Sequence, residues 1–215
     1  FGLYQGDELA GHWRVSTDHQ KMPDEYAVVV ANLLELGHLE PSDVSDAIVA
    51  SVVPPITDRL TEMLHDHFGL SPLVVGSGIR TGVSIRVDNP REVGADRIVN
   101  TAIVYPTYGG PACVIDFGTA TTFDAVSAKG EYLGGAIAPG VYIAAEALFQ
   151  RAAKLPRIDL QRPPAAIGSN TVDSMRSGVL FGYVGLVEGM VARFRRELGP
   201  DMRVIATGGL AEVIA

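Results

Sequence analysis

The sequence predicts an α/β protein with partly parallel sheets. Strand-like and helix-like segments alternate along its 215 residues, which is the pattern of α/β domains. Several strand-like segments are apolar throughout, and such strands are typical of sheets that are buried on both faces. A third observation is an internal similarity between GDELAG at residues 6–11 and GEYLGG at residues 130–135, each of which follows a predicted strand. The similarity is weak by itself, because any polar hairpin turn looks like this; taken seriously, it implies two copies of one strand-hairpin unit.

The first half of the chain predicts a hairpin followed by helices that alternate with strands. Gln5-Gly6-Asp7 is a turn signal between two strand-like runs. Pro and Asp open the first helix and Gly37 follows its end, while Pro54-Pro55 closes a strand and Gly69 follows the second helix. The predicted strands cover residues 1–4, 12–15, 46–53, 73–75 and 83–87, and the predicted helices cover residues 23–36, about 54–68 and 91–105.

A second unit is predicted to start near Pro111. Two strands form a hairpin around Lys129-Gly130, and a loop rich in proline precedes one long helix. The predicted strands cover residues 112–116, 121–126, 132–137 and 203–206, and the predicted helices cover residues 139–151 and 171–198, with a last helix after residue 209. We therefore assign residues 1–110 to an N-terminal domain and residues 111–215 to a C-terminal domain.

The composition favours a soluble protein of the cytoplasm. A formal net charge of −8 argues against general nucleic-acid binding, which needs an excess of Lys and Arg. Cys113 is the only cysteine, so no internal disulfide is possible, and this fits a reducing compartment. Its apolar surroundings in the sequence predict an inert, buried thiol. No segment reaches the roughly 18–20 apolar residues of a membrane span, so no membrane association is expected.

The segment DFGTATT at residues 116–122 carries the strongest chemical signal. It follows one apolar strand and precedes another. Gly118 lets the backbone approach a phosphate closely, and backbone N–H groups and hydroxyls can donate to phosphate oxygens. The carboxylate of Asp116 suits a hard cation, which prefers oxygen ligands. The plainer interpretation is a Gly-Thr turn between two strands.

The segment NPREVGADR at residues 89–97 carries a second signal. Gly94 permits close approach of a ligand, and Asp96 could accept a proton from an attacking hydroxyl. Arg97 is suited to hold a carboxylate in a fork. Neighbouring helical residues point about 100° apart, so a simple ion pair between Asp96 and Arg97 is not expected. The alternative is a helix N-terminus with solvated charges.

Two weaker signals lie later in the chain. Asn170 or Thr171 is expected to cap the long helix, a role that does not exclude a hydroxyl that also contacts substrate. Thr207-Gly208-Gly209 follows an apolar strand, and glycines there admit a nucleotide close to the backbone. The chain has no GxxxxGK[ST] loop, which argues against a P-loop kinase.

Taken together, these segments resemble the type III pantothenate kinase family. The most specific parts of the resemblance are GADR at residues 94–97 and DFGTATT at residues 116–122. The matching stretches occur in the family's order and cover essentially the whole chain, at residues 51–54, 88–100, 116–124, 132–140, 168–178 and 206–209. The family belongs to the superfamily of acetate and sugar kinases, Hsp70 and actin. The resemblance therefore implies two ribonuclease-H-like α/β domains with ATP bound in the cleft between them.

The resemblance also implies a reaction and the residues that perform it. The reaction is ATP-dependent phosphorylation of pantothenate to 4'-phosphopantothenate, the first step of coenzyme A biosynthesis. The residues that the resemblance places against pantothenate are Gly94, Ala95, Asp96, Arg97 and Thr171. Asp96 would be the catalytic residue that accepts the proton of the primary hydroxyl, and Thr119 would contact ATP.

The cofactors and partners implied by the resemblance are ions and a second subunit. Mg²⁺ would accompany ATP, and Asp116 would bind a monovalent cation, K⁺ or NH₄⁺. The competing account is that Asp116 binds Mg²⁺ itself. A homodimer is implied, with the substrate pocket near the subunit interface. The long helix carries glycines at 178, 182, 185 and 189 on one face, where backbones can pack closely.

One feature departs from the family pattern. The family carries an Asp-x-Gly-Asn-Thr phosphate loop at its N-terminus, and these 215 residues do not contain it. The internal similarity places the counterpart of DFGT before Phe1. We therefore expect the first strand and phosphate loop of the N-terminal domain, and the end of the C-terminal domain, to lie outside this sequence.

Two rival functions are also compatible with these residues. One is a non-catalytic regulatory protein with the same fold, since relatives of the family have been described as accessory factors for gene expression. The other is a kinase for a different small alcohol. The presence of both Asp96 and Asp116 favours an enzyme, because a pure interaction protein has no need of both carboxylates.

Overall fold

Residues 1–76 and 79–211 are described in the computed structural model of this protein. The chain divides into a first unit of residues 1–79 and 93–96 and a second unit of residues 80–92 and 97–215. Strands and helices alternate along both units, which confirms the mixed α/β class. Residues 97–110 belong to the second unit. The predicted domain boundary after residue 110 stays a prediction.

The first unit contains a hairpin, two helices and a pair of short strands. Its elements are β1 (Gly2–Gln5), β2 (Glu8–His12), α1 (Pro23–Leu36), β3 (Ile48–Val49), α2 (Pro54–Phe68) and β4 (Leu73–Val74). Both predicted helices are confirmed with these bounds. The strand predicted over residues 46–53 is shortened to β3, because its parallel ladder with β4 pairs just Ile48 with Leu73 and Val49 with Val74.

The hairpin corrects one predicted strand. β1 pairs with β2 in antiparallel register, with Gln5 opposite Glu8. Gly6 in the turn has a φ of +61°, a left-handed conformation that glycine adopts without steric cost from a Cβ. Because the turn takes just Gly6 and Asp7, β2 runs from Glu8 to His12, and the strand predicted over residues 12–15 was placed too far along the chain.

The core of the first unit lies between α1 and α2. Tyr26 and Ala27 of α1 are buried in one cluster with Met63 of α2. α2 starts on Pro54-Pro55, where an N–H would have no partner within the helix, and Gly69 ends it at a φ of +66°. The turn chemistry of the sequence therefore sets the helix ends, and apolar packing holds the two helices together.

A groove of about 870 Å³ lies within the first unit. It is lined by residues of β1 and of β3, and by apolar side chains of α1 and α2, among them Leu34 and Met63. The strands that border it belong to separate two-stranded sheets, β1–β2 and β3–β4. Leu73 of β4 also lines the groove, and neither pair of strands has a further hydrogen-bonded neighbour among the described residues.

The second unit contains a four-stranded sheet and three helices. Its elements are α3 (Ala95–Tyr108), β5 (Ala112–Phe117), β6 (Ala120–Val126), β7 (Tyr132–Pro139), α4 (Val141–Arg151), α5 (Thr171–Leu198) and β8 (Arg203–Gly208). The first two residues of α3 belong to the first unit, and the rest of the helix belongs to the second. The strand order is β7-β6-β5-β8. β8 is parallel to β5, and the other neighbours are antiparallel. The four strands predicted in this region are confirmed, each with ends within a few residues of the prediction.

Two predictions ahead of this sheet need correction. The strand predicted over residues 83–87 does not form, since the segment contacts Tyr132 at a single bridge from Ile85 rather than along a ladder. The helix predicted over residues 91–105 begins later, at Ala95. The N–H of Glu92 donates to the carbonyl of Asn89 at 3.1 Å, which closes a separate 3-10 turn over Pro90–Glu92 before the helix.

α5 covers the main core of the second unit. Val179, Leu180 and Tyr183 of α5 are buried in one cluster with sheet residues that include Ile115 and Phe123. Cys113 is fully buried in the same cluster, and burial raises the pKa of its thiol to about 12. The thiol therefore stays protonated, as the sequence predicted. The helix predicted after residue 209 lies outside the described residues beyond Ala211.

α5 is also long and apolar enough to span a membrane by length and composition, which corrects the expectation that no segment reaches that threshold. The core helix of a soluble protein meets the same criterion, and α5 contributes buried side chains to the core described above. This one helix among the described residues is therefore weak evidence of membrane insertion.

Candidate active site

The loop between β5 and β6 is the first element of the candidate site. Asp116 is the penultimate residue of β5, and Gly118 and Thr119 connect this strand to β6. Both loop residues are exposed, and Asp116 is half-buried. β8 ends beside the loop, since Phe117 is paired with Gly208. The carboxyl ends of two parallel strands therefore meet here, which is the usual position of ligands in α/β sheets.

Two glycines let the surrounding backbone close around this loop. Gly208 has a φ of +94°, and a Cβ at this position would lie 2.6 Å from the carbonyl oxygen of Phe117 and 2.7 Å from Oδ1 of Asp116. A Cβ on Gly140 would lie 2.7 Å from the carbonyl oxygen of Gly118. Both distances are shorter than real Cβ contacts, so neither position has room for a side chain. Carboxylate and carbonyl oxygens thus gather around the end of β8.

Hydrogen bonds fix the conformation of the loop. The N–H of Gly118 donates to the carbonyl of Ala120 at 3.1 Å, and the N–H of Gly140 donates to the carbonyl of Thr119 at 3.1 Å. The N–H of Gly118 is therefore engaged inside the loop, so the predicted donation from backbone N–H groups to a phosphate finds no support at this residue. The exposed position of Thr119 leaves its side chain accessible to a ligand from solvent.

A buried tyrosine ties α5 to the strands beside the loop. The hydroxyl of Tyr183 lies 2.5 Å from the carbonyl oxygen of Pro139 and 2.6 Å from Oγ1 of Thr121. Because a carbonyl can only accept, Tyr183 donates to Pro139 and accepts from the Thr121 hydroxyl. Pro139 ends β7 and Thr121 lies near the start of β6, so these bonds hold both strands at the end where the loop lies.

The GADR segment lies at the start of α3. Ala95 is buried, whereas Asp96 is exposed in the first helical turn, where the helix dipole favours a carboxylate. A Cβ on Gly94 would overlap Oδ1 of Asp96 and lie 3.2 Å from Cγ1 of Val52. Glycine therefore lets the Asp96 carboxylate fold back toward the residue before the helix. These residues belong to the first unit, and Arg97 belongs to the second.

Arg97 takes part in a buried polar network of the second unit. Its Nη1 donates to the hydroxyl of Tyr132 at 3.2 Å and lies 3.7 Å from Oδ1 of Asp124. The Tyr132 hydroxyl donates to Oδ1 of Asp124 at 3.1 Å, and the Thr122 hydroxyl donates to Oδ2 at 3.1 Å. Burial raises the pKa of Tyr132, which keeps its hydroxyl protonated and able to donate. The alternative of a helix N-terminus with solvated charges therefore agrees with the position of Asp96, which is exposed, but not with Arg97, whose side chain is 16% exposed.

The N-terminus of α5 shows which of Asn170 and Thr171 caps the helix. The Asn170 side chain accepts the N–H of Asp173 at 2.9 Å, so Asn170 is the helix cap. Thr171 is the first residue of the helix and is exposed. Its hydroxyl is therefore not needed to cap the helix.

Asp124 and Tyr132 were not predicted from the sequence as members of a polar network. Both fell within stretches that resemble the family, but neither was given a role. A signal was available, because Asp124 is the single charged residue of β6, in the sequence ATTFDAV. A carboxylate in a strand that is otherwise apolar or hydroxylic predicts a buried charge with partners, since an unpaired buried charge is very costly.

The predicted site residues fall into separate groups. The structure brings Asp116 and Thr119 together with Gly208 in the second unit. Arg97 lies with Asp124 and Tyr132 in the same unit, and Thr171 begins α5. Gly94, Ala95 and Asp96 lie together in the first unit.

Comparisons with known proteins point to one family. The family described as type III pantothenate kinase matches residues 1–193. A type III pantothenate kinase from Moorella thermoacetica is 55% identical over 213 residues, which is 99% of this chain and 84% of that protein. Proteins of the same name from Geobacter sulfurreducens and Roseiflexus castenholzii are 54% and 50% identical over 214 residues, each covering 100% of this chain and 84% of the relative.

A solved structure shows the same fold at lower similarity. It belongs to a Campylobacter jejuni protein named for the Baf family of transcriptional activators. The TM-score is 0.54 at 19% sequence identity, with 80% of this chain and 72% of that chain covered. At this identity the likeness concerns the fold alone.

Proposed function

The chain belongs to the type III pantothenate kinase family, and from this premise we propose that it transfers the terminal phosphoryl group of ATP to pantothenate. The observation that carries the proposal is 50–55% identity over 99–100% of the chain with relatives that bear this name. The reaction yields 4'-phosphopantothenate, the first intermediate of coenzyme A biosynthesis. ATP and Mg²⁺ follow from membership of a kinase family.

Asp96 is the proposed acceptor of the hydroxyl proton. It is exposed at the first turn of α3, so a substrate can reach its carboxylate from solvent. A carboxylate within hydrogen-bond distance of an alcohol can orient it and take its proton during transfer. Gly94 and Ala95 precede it at the start of the helix, and the absence of a side chain on Gly94 leaves room for the carboxylate itself, since a Cβ there would overlap Oδ1 of Asp96. These residues would contact pantothenate.

Arg97 and Thr171 are the proposed contacts to the rest of pantothenate. The substrate carries a carboxylate, and a guanidinium can hold a carboxylate through paired N–H donors. Arg97 is mostly buried but keeps 16% of its side chain exposed, which suits a residue that meets a ligand at the edge of a pocket. Thr171 adds an exposed hydroxyl at the start of α5.

Asp116 and Thr119 are the proposed residues on the nucleotide side. The oxygen atoms of Asp116 and Phe117 that face Gly208 are the ligands that hard cations prefer, so the donor set fits a monovalent cation, K⁺ or NH₄⁺. When bound, such an ion would offset the negative charge of the phosphates. Thr119, exposed in the same loop, would contact ATP. Positioning of this kind accounts for most of the catalysis in phosphoryl transfer.

We also propose that the protein has the architecture that the family resemblance implies, which is two ribonuclease-H-like domains with ATP in the cleft between them. In the second unit, β5, β6 and β7 are antiparallel neighbours and β8 is parallel to β5, and this arrangement supports the proposal. If the β1–β2 hairpin of the first unit corresponds to β6–β7, and β3 corresponds to β8, the counterpart of β5 belongs between β1 and β3. The 870 Å³ groove lined by these two strands supports that correspondence.

A homodimer in the cytoplasm is the proposed state of the protein. Two surfaces of the second unit, on α5 and on α4, support a dimer. A Cβ on Gly178, Gly182 or Gly185 of α5 would meet no atom within 4 Å among the described residues, so this face has room for a close neighbour. α4 exposes apolar side chains, including Tyr142 and Phe149. A measured mass of one subunit in an active sample at micromolar concentration would reject the dimer.

The decisive test of the function is a direct assay of the product. The full-length protein is incubated with ATP, Mg²⁺ and pantothenate, and phosphopantothenate is measured. We expect product that depends on both substrates, whereas a non-catalytic regulatory protein would form none. Another small alcohol used in place of pantothenate, with a higher kcat/KM, would favour a different kinase.

The role of Asp116 is tested by cation dependence. The rate is measured against K⁺ at saturating Mg²⁺, with a large inert cation that keeps the ionic strength constant. We expect activation by K⁺ or NH₄⁺, and loss of both that activation and most activity in Asp116→Ala. A flat response in the wild-type protein would reject the monovalent site and favour Mg²⁺ at Asp116.

A further inference from the structure

A fully buried carboxylate lies in the middle of the β-sheet of the second unit. Asp124 of β6 is 0% exposed, and it accepts hydrogen bonds from the hydroxyls of Thr122 and Tyr132. A charged group in this position is stabilised only if nearby donors and a cation compensate for the loss of water. The cation is Arg97, whose Nη1 lies 3.7 Å from Oδ1 of Asp124.

The strand opposite is shaped to accommodate this carboxylate. Gly135 of β7 is the register partner of Asp124. A Cβ on Gly135 would lie 3.1 Å from Oδ1 of Asp124 and would overlap the carbonyl oxygen of Phe123. A side chain at residue 135 would therefore crowd the carboxylate, and glycine leaves it room.

We propose that Asp124, acting through Tyr132, is a positioning residue that orients the Arg97 guanidinium toward the anionic end of the substrate. Nη1 of Arg97 donates to the Tyr132 hydroxyl at 3.2 Å, and that hydroxyl donates onward to Asp124 at 3.1 Å. The tyrosine hydroxyl thus has its one proton committed to the carboxylate, and its lone pair faces the guanidinium. This hydrogen bond holds one edge of the planar Arg97 guanidinium, and 16% of the Arg97 side chain remains exposed.

The proposal rests on the proposed function, because it assigns a purpose to the orientation of Arg97. It differs from a purely structural role in what it predicts for kinetics. A variant that merely folds less well contains fewer active molecules, so its kcat falls while the KM values for both substrates stay unchanged. A variant that frees the guanidinium should raise the KM for pantothenate and leave the KM for ATP unchanged.

Two variants test the positioning role. Asp124→Asn keeps the size of the side chain but removes its charge, and Tyr132→Phe removes the hydroxyl that joins Arg97 to Asp124. We expect each to raise the KM for pantothenate about tenfold or more, because the lost interactions involve charged groups. Tyr183→Phe is the matched control, since it also loses a buried, hydrogen-bonded tyrosine hydroxyl in the same unit but leaves Arg97 untouched. Its KM for pantothenate should be unchanged.

A second measurement does not depend on catalysis. In protein made with isotope-labelled arginine, a held guanidinium rotates slowly and gives separate nitrogen signals for its two Nη groups. We expect separate signals for Arg97 in the wild-type protein and in Tyr183→Phe, and one averaged signal in Tyr132→Phe. Averaged signals in the wild-type protein would overturn the proposal.

The outcomes separate this proposal from the proposed function. Absence of phosphopantothenate with the wild-type protein would reject the function, and the arginine signals would still decide whether Arg97 is held. An active wild-type protein with unchanged pantothenate KM in a folded Tyr132→Phe variant would reject the positioning role and leave the function standing. If Asp124→Asn fails to fold, Tyr132→Phe carries the test alone.

Discussion

Gly208 offers a sharp test of the loop geometry at the candidate site. Alanine at this position would have to adopt a φ of +94° and place its Cβ 2.6 Å from the Phe117 carbonyl oxygen and 2.7 Å from Oδ1 of Asp116. A strained backbone conformation costs about 1–3 kcal/mol. Overpacking against backbone costs about 1–3 kcal/mol more.

We therefore expect Gly208→Ala to lower the free energy of unfolding by about 3 kcal/mol or more. For a chain of this size each kcal/mol corresponds to roughly 2–4 °C in Tm, so Tm should fall by roughly 6–12 °C. The adjacent Gly209 is the matched control, because its φ lies outside the left-handed region and a Cβ there would meet no atom within 4 Å. Gly209→Ala should leave Tm unchanged or raise it slightly.

The assays are thermal unfolding followed by circular dichroism and the steady-state rate of phosphopantothenate formation. Since the new methyl group must displace the Asp116 carboxylate or the loop backbone, Gly208→Ala should also reduce the rate by roughly 10²-fold at a temperature where it is folded. Equal Tm values for the two alanine variants would refute the close approach of β8 to the loop. A large loss of Tm with wild-type activity would instead separate the loop from catalysis.

Three further predictions concern single side chains. Asp96→Asn should lower kcat by about 10²–10⁴-fold with an unchanged Tm, because the proposed proton acceptor is lost, and near wild-type kcat would exclude this role. Tyr183→Phe should lower the free energy of unfolding in urea by about 1–3 kcal/mol, since it leaves the fully buried Thr121 hydroxyl without this partner. The exposed Tyr142→Phe should have no such effect, and equal losses would contradict the reasoning. Cys113 should resist alkylation in the folded protein, because burial raises the pKa of its thiol from 9.0 to about 12. The unfolded chain loses this proton first, so the stability contributed by the thiol should fall as pH rises from 9.0 towards about 12, and alkylation at the same rate in folded and unfolded protein would disprove its burial.

Much of the fold could be read from local patterns. The helices Pro23–Leu36 and Pro54–Phe68 were predicted with their bounds, because proline opens them and glycine follows them. The position of DFGTATT between two strands followed from the apolar runs on either side. The misplaced second strand of the hairpin shows where local patterns are weakest, because a turn of two residues leaves the same sequence signals as a longer one.

The candidate site was likewise predictable from the sequence only in part. The residue types and their order along the chain were sufficient to single out Asp96, Asp116 and the GADR segment, since these properties are local. The partners of Arg97 were not predictable, because Asp124 and Tyr132 reach it through the register of β6 and β7 rather than through sequence spacing.

By itself, the sequence determined most of the helices, the strands of the second unit and which segments carry chemistry, because periodicity, capping and turn preferences act over a few residues. The tertiary structure alone decided which buried charge compensates which, and which glycine has no room for a side chain. Those outcomes depend on strands that are distant in sequence but lie within hydrogen-bond distance. β8 and β5 are such a pair, and their pairing places Gly208 against Asp116.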